Sequence, residues 1–307
     1  MSHLSTLIVS FFERLFFKPN LFDWVFILLL SPLSLLYAFV MLLRRLLISK
    51  KEYSVPIISI GNLTVGGSGK TPFVINIASR YENVTVVSRG YGRQSKGLIE
   101  VSYRGKILTD VFHSGDEPML MAKSLKSSSV IVSENRETAI KLAIKQGATA
   151  IILDDGFNRV NIKKFEILLF PETIKNYMPF PLGPFREFYF SRIFSDLNLY
   201  ENSDFKRIVT IKNTTDKMFL VTAISNPKRL TPFLPKDIVG EHFLEDHAYF
   251  NEALLKEKML AVGATSLLVT EKDEVKMQGF QLPLSVMQLE LQIKNEILAK
   301  IDGYIGA

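Results

Sequence analysis

Hydrophobic positions follow two different patterns along the chain. Residues 24–43 carry no charged side chain and predict one long apolar helix. After Lys51, short β-branched runs alternate with longer stretches that mix polar and apolar positions, which predicts a parallel sheet with crossover helices. The predicted strands are residues 55–60, 84–87, 130–132, 150–153 and 165–170, and the predicted helices are residues 72–81, 117–125 and 135–146.

Three more strand-like runs follow near the C-terminus, at residues 205–212, 218–223 and 266–270. They predict a second, smaller α/β unit. Residues 178–187, MPFPLGPFRE, hold too many prolines for regular structure and predict an ordered loop that closes the first unit. The expected fold class is therefore α/β, with a doubly wound, mostly parallel sheet. The predicted domains are a membrane-anchor region at 1–48, a larger domain at 49–195 and a smaller one at 196–307.

The apolar N-terminal segment is about long enough to cross a bilayer. It lacks the basic start and small-residue cleavage site of a signal peptide, so we expect it to be retained. A buried core helix is the alternative to a membrane segment. Ser31 and Pro32 in the middle of the segment predict a kink or break, which leaves open a span or a helix or helical hairpin lying in one leaflet. Basic residues are denser after the segment than before it, which places the rest of the chain in the cytoplasm.

Composition narrows the chemistry. The chain has no cysteine, which excludes disulfides and thiolate chemistry, and its histidines, His3, His113, His242 and His247, form no HExxH pair. A net charge of +6 suits nucleic acid, anionic lipid or an acidic substrate. Arg44, Arg45, Lys50 and Lys51 directly follow the apolar segment, which favours an anionic membrane surface. We expect no nucleic-acid partner.

Residues 61–72, GNLTVGGSGKTP, follow a predicted strand and precede a predicted helix. Glycines let backbone N–H groups converge on a phosphate, Lys70 reaches terminal phosphates, and Thr71 offers a hydroxyl to Mg²⁺. The segment therefore predicts a P-loop that binds a nucleotide, although the strict pattern has glycine where Thr64 stands. The candidate nucleotide-binding residues are Thr64, Val65, Gly66, Gly67, Ser68, Gly69, Lys70 and Thr71.

Asp154 and Asp155 come directly after a predicted buried strand, at the sheet edge where ligands bind in doubly wound folds. One of the two is a candidate Mg²⁺ ligand, as in a Walker B element, and the sequence does not choose between them. A turn that uses Asp and Gly for its backbone geometry is the alternative.

Two further polar segments are candidates for catalysis and substrate binding. Asp116, in SGDEP, is either a helix cap or a general base, and His247, in LEDH, is its candidate partner. Arg89 and Tyr91, in SRGYGR, follow a predicted strand and suit an anionic sugar, unless the loop is only a solvated connection.

Taken together and in this order, GNLTVGGSGKTP, SRGYGR, SGDEP, ILDDGF, PLGPFRE and EDH resemble the tetraacyldisaccharide 4'-kinase family, the lipid A kinases. The resemblance covers most of the chain, and the family also has a hydroxyl residue at the place of Thr64. It implies ATP-dependent phosphorylation of the 4'-hydroxyl of a tetraacylated glucosamine disaccharide 1-phosphate, the lipid A precursor. The implied location is the cytoplasmic face of the bacterial inner membrane.

The resemblance also implies roles for individual residues. Asp116 is the expected catalytic base with His247 as its partner, and Lys70 acts on the phosphates. The expected magnesium shell draws on Thr71, Asp154, Asp155 and Glu187, and the expected head-group contacts are Arg89, Tyr91 and Arg186. This chain departs from the family at Asn158 and Arg159, where Gln-His is usual, and at Ala248.

A membrane-associated P-loop ATPase or GTPase of the partitioning or metallochaperone type is the alternative function. Partitioning ATPases carry an extra lysine where this chain has Val65, and residues 270–273, TEKD, have the wrong order for a guanine-reading motif. Both observations count against the alternative. The sequence predicts no oligomeric state and gives the TEKD segment no role beyond a turn.

Overall fold

Helices and strands alternate through most of the chain. The computed structural model describes residues 3–66 and 69–306, with side chains from residue 10 onward. The α-helices of this described part are α1 (His3–Phe17), α2 (Leu21–Leu47), α3 (Lys70–Ala78), α4 (Val111–Ser114), α5 (Asp116–Ser124), α6 (Arg136–Lys145), α7 (Glu252–Ala261), α8 (Glu271–Glu274) and α9 (Asn295–Ile305). The strands are β1 (Ile57–Gly61), β2 (Thr85–Ser88), β3 (Ile99–Tyr103), β4 (Lys106–Ile107), β5 (Ser129–Val132), β6 (Ile151–Asp154), β7 (Phe165–Phe170), β8 (Leu197–Tyr200), β9 (Phe205–Lys212), β10 (Met218–Thr222), β11 (Ile238–Phe243), β12 (Ser266–Thr270) and β13 (Leu284–Ile293).

The chain divides into two compact units. Unit 1 comprises residues 1–70, 155–205 and 293–307, and unit 2 comprises residues 71–154 and 206–292. In unit 1, β7 lies between β1 and β8 and runs parallel to both. The five positions of β1 are all buried, as a strand covered on both faces requires. Helix α9 packs here through Tyr304, whose hydroxyl donates to the Ile57 carbonyl.

Unit 2 contains two groups of strands. The first has the order β4-β3-β5-β2-β6, in which β2 runs parallel to β5 and β6 while β3 is antiparallel to its neighbours. The second is a five-stranded sheet of order β11-β10-β12-β13-β9. The α/β class and the mostly parallel pairing are as the sequence predicts, and the strands predicted beyond residue 195 do form a sheet of their own. The predicted domain boundaries at residues 48 and 195 stay predictions.

Helix α2 begins with a complete capping box. The Asn20 side chain accepts a hydrogen bond from the Asp23 N–H, and the Asp23 side chain accepts one from the Asn20 N–H. Arg14 of α1 adds an ion pair to Asp23 at 2.9 Å. These contacts satisfy N–H groups that a helix start otherwise leaves without partners, which fixes where α2 begins.

Pro32 does not break α2, which continues from Leu21 to Leu47. Proline has no N–H, so the Leu28 carbonyl four residues earlier loses its usual donor. The Ser31 hydroxyl donates to that carbonyl at 2.8 Å and replaces the missing bond. The Ser31-Pro32 pair, which by sequence predicts a kink or break, is thus compatible with a continuous helix.

Most of the surface of α2 is apolar and exposed. Among the described residues, α2 is the helix that is long and apolar enough to cross a membrane by length and composition, and only 17% of its most apolar window is buried. Leu28 and Leu29 are 74% and 72% exposed. A buried core helix would show the opposite, so this reading of the segment is disfavoured.

The proline-rich loop at residues 178–187 is ordered by hydrogen bonds rather than by helix or strand. The Phe180 N–H donates to the Phe185 carbonyl at 2.7 Å, and the Phe185 N–H donates to the Met178 carbonyl at 3.3 Å. The Ser34 hydroxyl of α2 also donates to the Pro179 carbonyl. The loop predicted from the prolines is therefore present, and it packs against α2 within unit 1.

Candidate active site

The P-loop segment lies between β1 and α3, as its sequence predicts. Gly66 and Gly69 adopt φ angles of +98° and +81°, which side chains rarely tolerate. The two predicted nucleotide-binding residues Gly67 and Ser68 lie outside the described residues. Thr71 follows Lys70 in the first turn of α3, where backbone N–H groups have no partner in the helix.

Lys70 is held by two polar side chains of unit 1. Its Nζ donates to Asn62 Oδ1 at 3.1 Å and lies 3.7 Å from Asp155 Oδ1. Asp155 also accepts hydrogen bonds from Arg186 Nη1 at 3.2 and 2.9 Å. The structure therefore brings Lys70, Asp155 and Arg186 together, and Asn62 joins them.

Thr64 and Val65 occupy buried or half-buried positions at the start of the loop. Val65 donates its N–H to the Pro184 carbonyl at 2.8 Å, so this amide already has a partner. Its side chain packs on an apolar cluster formed by Leu15, Phe16, Ile27 and Leu182. These contacts tie the first half of the loop to the proline-rich loop, whereas the second half carries the lysine.

Glu187 forms a closed ion pair with Arg45, near the C-terminal end of α2. The Arg45 Nε and Nη2 atoms donate to Glu187 Oε2 at 2.9 Å and Oε1 at 2.7 Å. The guanidinium also lies 3.8 Å from the Phe157 ring centroid. Both carboxylate oxygens therefore have a donor, and this arrangement does not favour Glu187 as a magnesium ligand.

Asp154 ends β6 in unit 2, where its side chain is buried. Its Oδ2 accepts a hydrogen bond from the Ser88 hydroxyl at 2.8 Å, at the end of β2. Arg136 donates to the Asp154 carbonyl at 3.3 Å. Among the described residues, no group of three or more His, Cys, Asp or Glu side chains is arranged to hold a metal ion.

Asp116 and His247 meet in unit 2 although 131 residues separate them. The imidazole Nδ1 lies 2.8 Å from Asp116 Oδ2 and 3.0 Å from Oδ1. Asp116 Oδ1 also accepts the Glu117 N–H at 2.9 Å. His247 has a φ of 63°, a left-handed conformation that is costly for a non-glycine residue and recurs at functional sites.

Positive charge surrounds the buried Asp116 carboxylate. Lys272 Nζ and Lys276 Nζ each lie 3.7 Å from its Oδ2. Burial on its own would raise the pKa of Asp116, but the His247 hydrogen bond and the charges of Lys272 and Lys276 outweigh burial and lower that pKa. Asp116 is therefore a carboxylate at neutral pH.

The SRGYGR loop approaches the same pair. The Tyr91 ring centroid lies 5.2 Å from that of His247, and Tyr91 is 69% exposed. A Cβ at Gly92 would lie 3.2 Å from the imidazole, so a glycine permits this close approach. Arg89 is exposed. The predicted sugar-binding Tyr91 thus lies beside the predicted catalytic histidine.

Sequence reasoning missed three polar residues of these sites. Asn62 stands inside the P-loop motif, yet nothing in its spacing predicts a bond to Lys70. Lys272 belongs to the TEKD segment, which has no assigned role at the sequence level. Arg45 is one of four basic residues after the apolar segment, and its position there predicts a contact with the membrane surface instead. Motif membership was the available signal for Asn62 and Lys272.

These features define the class of the protein as a P-loop kinase: a glycine loop that presents a lysine, with a carboxylate–imidazole pair able to accept a proton. The chain belongs to the tetraacyldisaccharide-1-P 4'-kinase family, LpxK, whose family model matches residues 26–199 and 198–305. The family predicted from the motifs is therefore confirmed, and a partitioning or metallochaperone ATPase is not favoured.

Relatives match the chain over nearly its whole length. The tetraacyldisaccharide 4'-kinase of Helicobacter acinonychis (strain Sheeba) is 48% identical over 297 residues, which are 96% of this chain and 95% of that protein. The enzyme of the same name from Aliarcobacter butzleri (strain RM4018) is 43% identical over 308 residues, with 96% of each chain covered. A crystal structure of LpxK from Aquifex aeolicus in complex with ATP has a TM-score of 0.75 and 26% identity, covering 90% of this chain and 98% of that one.

Proposed function

We propose that this protein transfers the γ-phosphoryl group of ATP to the 4'-hydroxyl of a tetraacylated glucosamine disaccharide 1-phosphate. The observation that carries the proposal is the hydrogen bond between Asp116 and His247, at 2.8 Å. An alcohol acceptor must lose a proton during the transfer, and a P-loop protein that only binds a nucleotide would not need such a pair. Family membership supplies the acceptor class.

The phosphate-binding half consists of the P-loop and Lys70. Backbone N–H groups of the glycine loop and the N-terminus of α3 present positive potential to the ATP phosphates. The Lys70 ammonium neutralises charge on the terminal phosphates, and Asn62 and Asp155 aim its side chain. The nucleotide-binding set is residues 64–71, as in the sequence-based prediction.

Asp116 acts as the proton acceptor in the proposed reaction. The acceptor 4'-oxygen forms a bond to the γ-phosphorus as the β,γ-bridging P–O bond breaks and ADP leaves. The hydroxyl proton passes to the Asp116 carboxylate, while the His247 imidazole holds that carboxylate through Nδ1. The lowered pKa of Asp116 makes it a weak base. A loose phosphoryl-transfer transition state asks mainly for positioning, so a weak but ionised base suffices.

Mg²⁺ fits the donor set of this chain. Magnesium is usually held by one or two carboxylates plus substrate phosphates, and Asp154, Asp155 and the Thr71 hydroxyl offer hard oxygen ligands. We assign these three residues to the ion. Glu187 is left out of its shell because its side chain is 1% exposed and paired with Arg45, whereas the Asp155 side chain, which also has an arginine partner, is 37% exposed. When bound, Mg²⁺ would neutralise charge on the ATP phosphates.

The acceptor would be bound by polar side chains at the surface and by the apolar surface of α2. Arg89 and Tyr91 suit the anionic disaccharide, because arginine binds phosphate and a tyrosine ring stacks on a sugar. Arg186 is a further candidate, since it stands beside Asp155. Helix α2 supports a location at the cytoplasmic face of the inner membrane, where the acyl chains of the acceptor would reside.

The test is a kinase assay on the purified full-length chain in detergent micelles. With γ-labelled ATP, Mg²⁺ and the tetraacyldisaccharide 1-phosphate, labelled phosphate should appear on the acceptor. An acceptor that lacks only the 4'-hydroxyl is the matched control and should stay unlabelled. The Lys70→Ala variant should lose turnover by about three powers of ten. Lack of labelled product from the native chain with a well-solubilised acceptor would refute the proposal.

A further inference from the structure

Lys272 occupies a cage of three carboxylates next to the Asp116–His247 pair. Its Nζ donates to Glu117 Oε1 at 3.2 Å and lies 3.7 Å from Asp116 Oδ2 and 3.5 Å from Asp246 Oδ1. Without this ammonium, three like charges would converge on one point. The pKa of Lys272 is raised: burial opposes its charge, but Glu117, Asp116 and Asp246 together outweigh burial.

Lys276 adds a second positive charge near the same oxygen of Asp116. Its Nζ lies 3.7 Å from Asp116 Oδ2 and 3.3 Å from Asp273 Oδ1, and the side chain is 1% exposed. A buried ammonium that makes no hydrogen bond within this environment is costly. A purely structural position would be better filled by an apolar side chain, so the lysine points to an electrostatic task.

Asp273 fixes both partners of Asp116 from a single anchor. Its fully buried carboxylate accepts the Thr222 hydroxyl at 2.6 Å and the Ala223 N–H at 3.1 Å, at the end of β10. The Ala223 carbonyl in turn accepts the His247 N–H at 3.1 Å. Asp273 and Ala223 thus connect the backbone of His247 to the segment that carries Lys272 and Lys276.

We propose that Lys272 and Lys276 are positioning residues of the phosphotransfer reaction, which keep the buried Asp116 ionised and aligned with His247. The inference rests on the proposed function, because it assigns Asp116 its task. Besides the two lysines, the charged or titratable groups around Asp116 are His247, Asp246 and Tyr249 from the loop after β11, Asp273 from α8, and Glu117 from α5. Among these groups, Lys272 and Lys276 are the permanent cations. His247 contributes a hydrogen bond to the carboxylate.

The first test is the titration of the Asp116 carboxyl in the full-length protein, followed by carbon-13 NMR and assigned by its loss in Asp116→Asn. Lys272→Met should move the midpoint upward by about one pH unit, since an opposite charge within a few ångströms has been removed. Lys272→Arg should restore the native midpoint. Lys256→Met, at an exposed position of α7, is the matched control and should leave the midpoint unchanged.

The same variants are compared in the kinase assay. Lys272→Met should lower kcat about tenfold with little change in the KM for ATP, and Lys272→Arg should recover most of the loss. An unshifted Asp116 midpoint in folded Lys272→Met protein overturns the inference, and so does a Lys272→Arg variant as impaired as Lys272→Met. If Lys272→Met does not fold, Lys276→Met and Lys276→Arg are used in its place. An unshifted Asp116 midpoint in Lys276→Met, or a Lys276→Arg variant as impaired as Lys276→Met, then overturns the inference.

This design separates the inference from the proposed function. The carboxyl titration needs no acceptor, so it reports on the lysines even if the native chain transfers no phosphate. Conversely, normal transfer by the native chain together with an unmoved midpoint would leave the function standing and remove the positioning role.

Discussion

Glu187 and Asp116 are both buried carboxylates, at 1% and 4% exposure, yet their surroundings differ. Glu187 in unit 1 faces one guanidinium, which fills both of its oxygens at 2.9 and 2.7 Å. Asp116 in unit 2 accepts from an imidazole, and its nearest ammonium groups stand 3.7 Å away, beyond hydrogen-bond distance. The Glu187 carboxylate is therefore held by hydrogen bonds from its cation, whereas the Asp116 carboxylate has nearby cations that do not hydrogen-bond to it.

The partners of a buried acid decide whether it serves stability or chemistry. A bidentate pair with arginine fixes geometry and has no proton to exchange, because arginine stays charged at any ordinary pH. An imidazole can donate or accept, and ammonium groups at a distance hold the charge of the carboxylate without occupying its oxygens. Replacing each acid or its partner should therefore affect different properties.

The largest effect is expected for Asp116→Asn, which keeps the shape and removes the proton acceptor. We expect kcat to fall by about three powers of ten. Turnover in the kinase assay measures the loss, and the melting temperature checks that the variant is folded. A near-normal rate would remove Asp116 as the base and would erase the contrast with Glu187.

Arg45→Met is expected to act on stability rather than on chemistry. It leaves Glu187 buried without its cation, which destabilises a protein by about 3 kcal/mol. Urea unfolding measures the loss. At temperatures where the variant is folded, its kcat should stay within a few-fold of the native value. A collapse of kcat without loss of stability would show that Glu187 belongs to the reaction after all.

The double variant Arg45→Met with Glu187→Met sharpens the same point. The double variant leaves no unpaired carboxylate in the interior. Its loss of unfolding free energy relative to the native chain should therefore be only about 1 kcal/mol. The free energies of unfolding of the native chain, both single variants and the double variant form a thermodynamic cycle. If the double variant is as unstable as Arg45→Met, packing of the arginine on Phe157 matters more than its charge.

The smallest effect concerns the pH dependence of stability. The pKa of Asp116 is lower in the folded protein than in the unfolded chain. Asp116 therefore contributes stability above its unfolded pKa, and this contribution is lost as the pH falls through its folded pKa. We expect the difference in unfolding free energy between the native chain and Asp116→Asn to stay level near neutral pH and to narrow below about pH 4. A difference that widens on acidification would contradict the assignment.

The P-loop, the parallel strands and the apolar helix were predictable because their signals are local. Glycine spacing, β-branched runs and the absence of charge over residues 24–43 each lie within one short segment. The β3–β4 hairpin was not predicted. Its turn has positive φ angles at Arg104 and Gly105, and arginine is not a residue type that indicates such a turn in a sequence.

Site residues divide along the same line. Asp116 and His247 lie 131 residues apart, so no local pattern links them. A general base's need for a partner made His247 a candidate, and the resemblance to the family pointed to the same pair. The partners of Lys272 and Arg45 could not be predicted. The sequence around each of them is the same whether the side chain faces solvent or a buried carboxylate. Tertiary contacts alone make that distinction.

The Arg45–Glu187 pair has a consequence for how the protein is made. Arg45 is synthesised 142 residues before Glu187. The buried ion pair therefore cannot form until Glu187 has been made. Until then, α2 lacks its buried charge contact with the rest of unit 1.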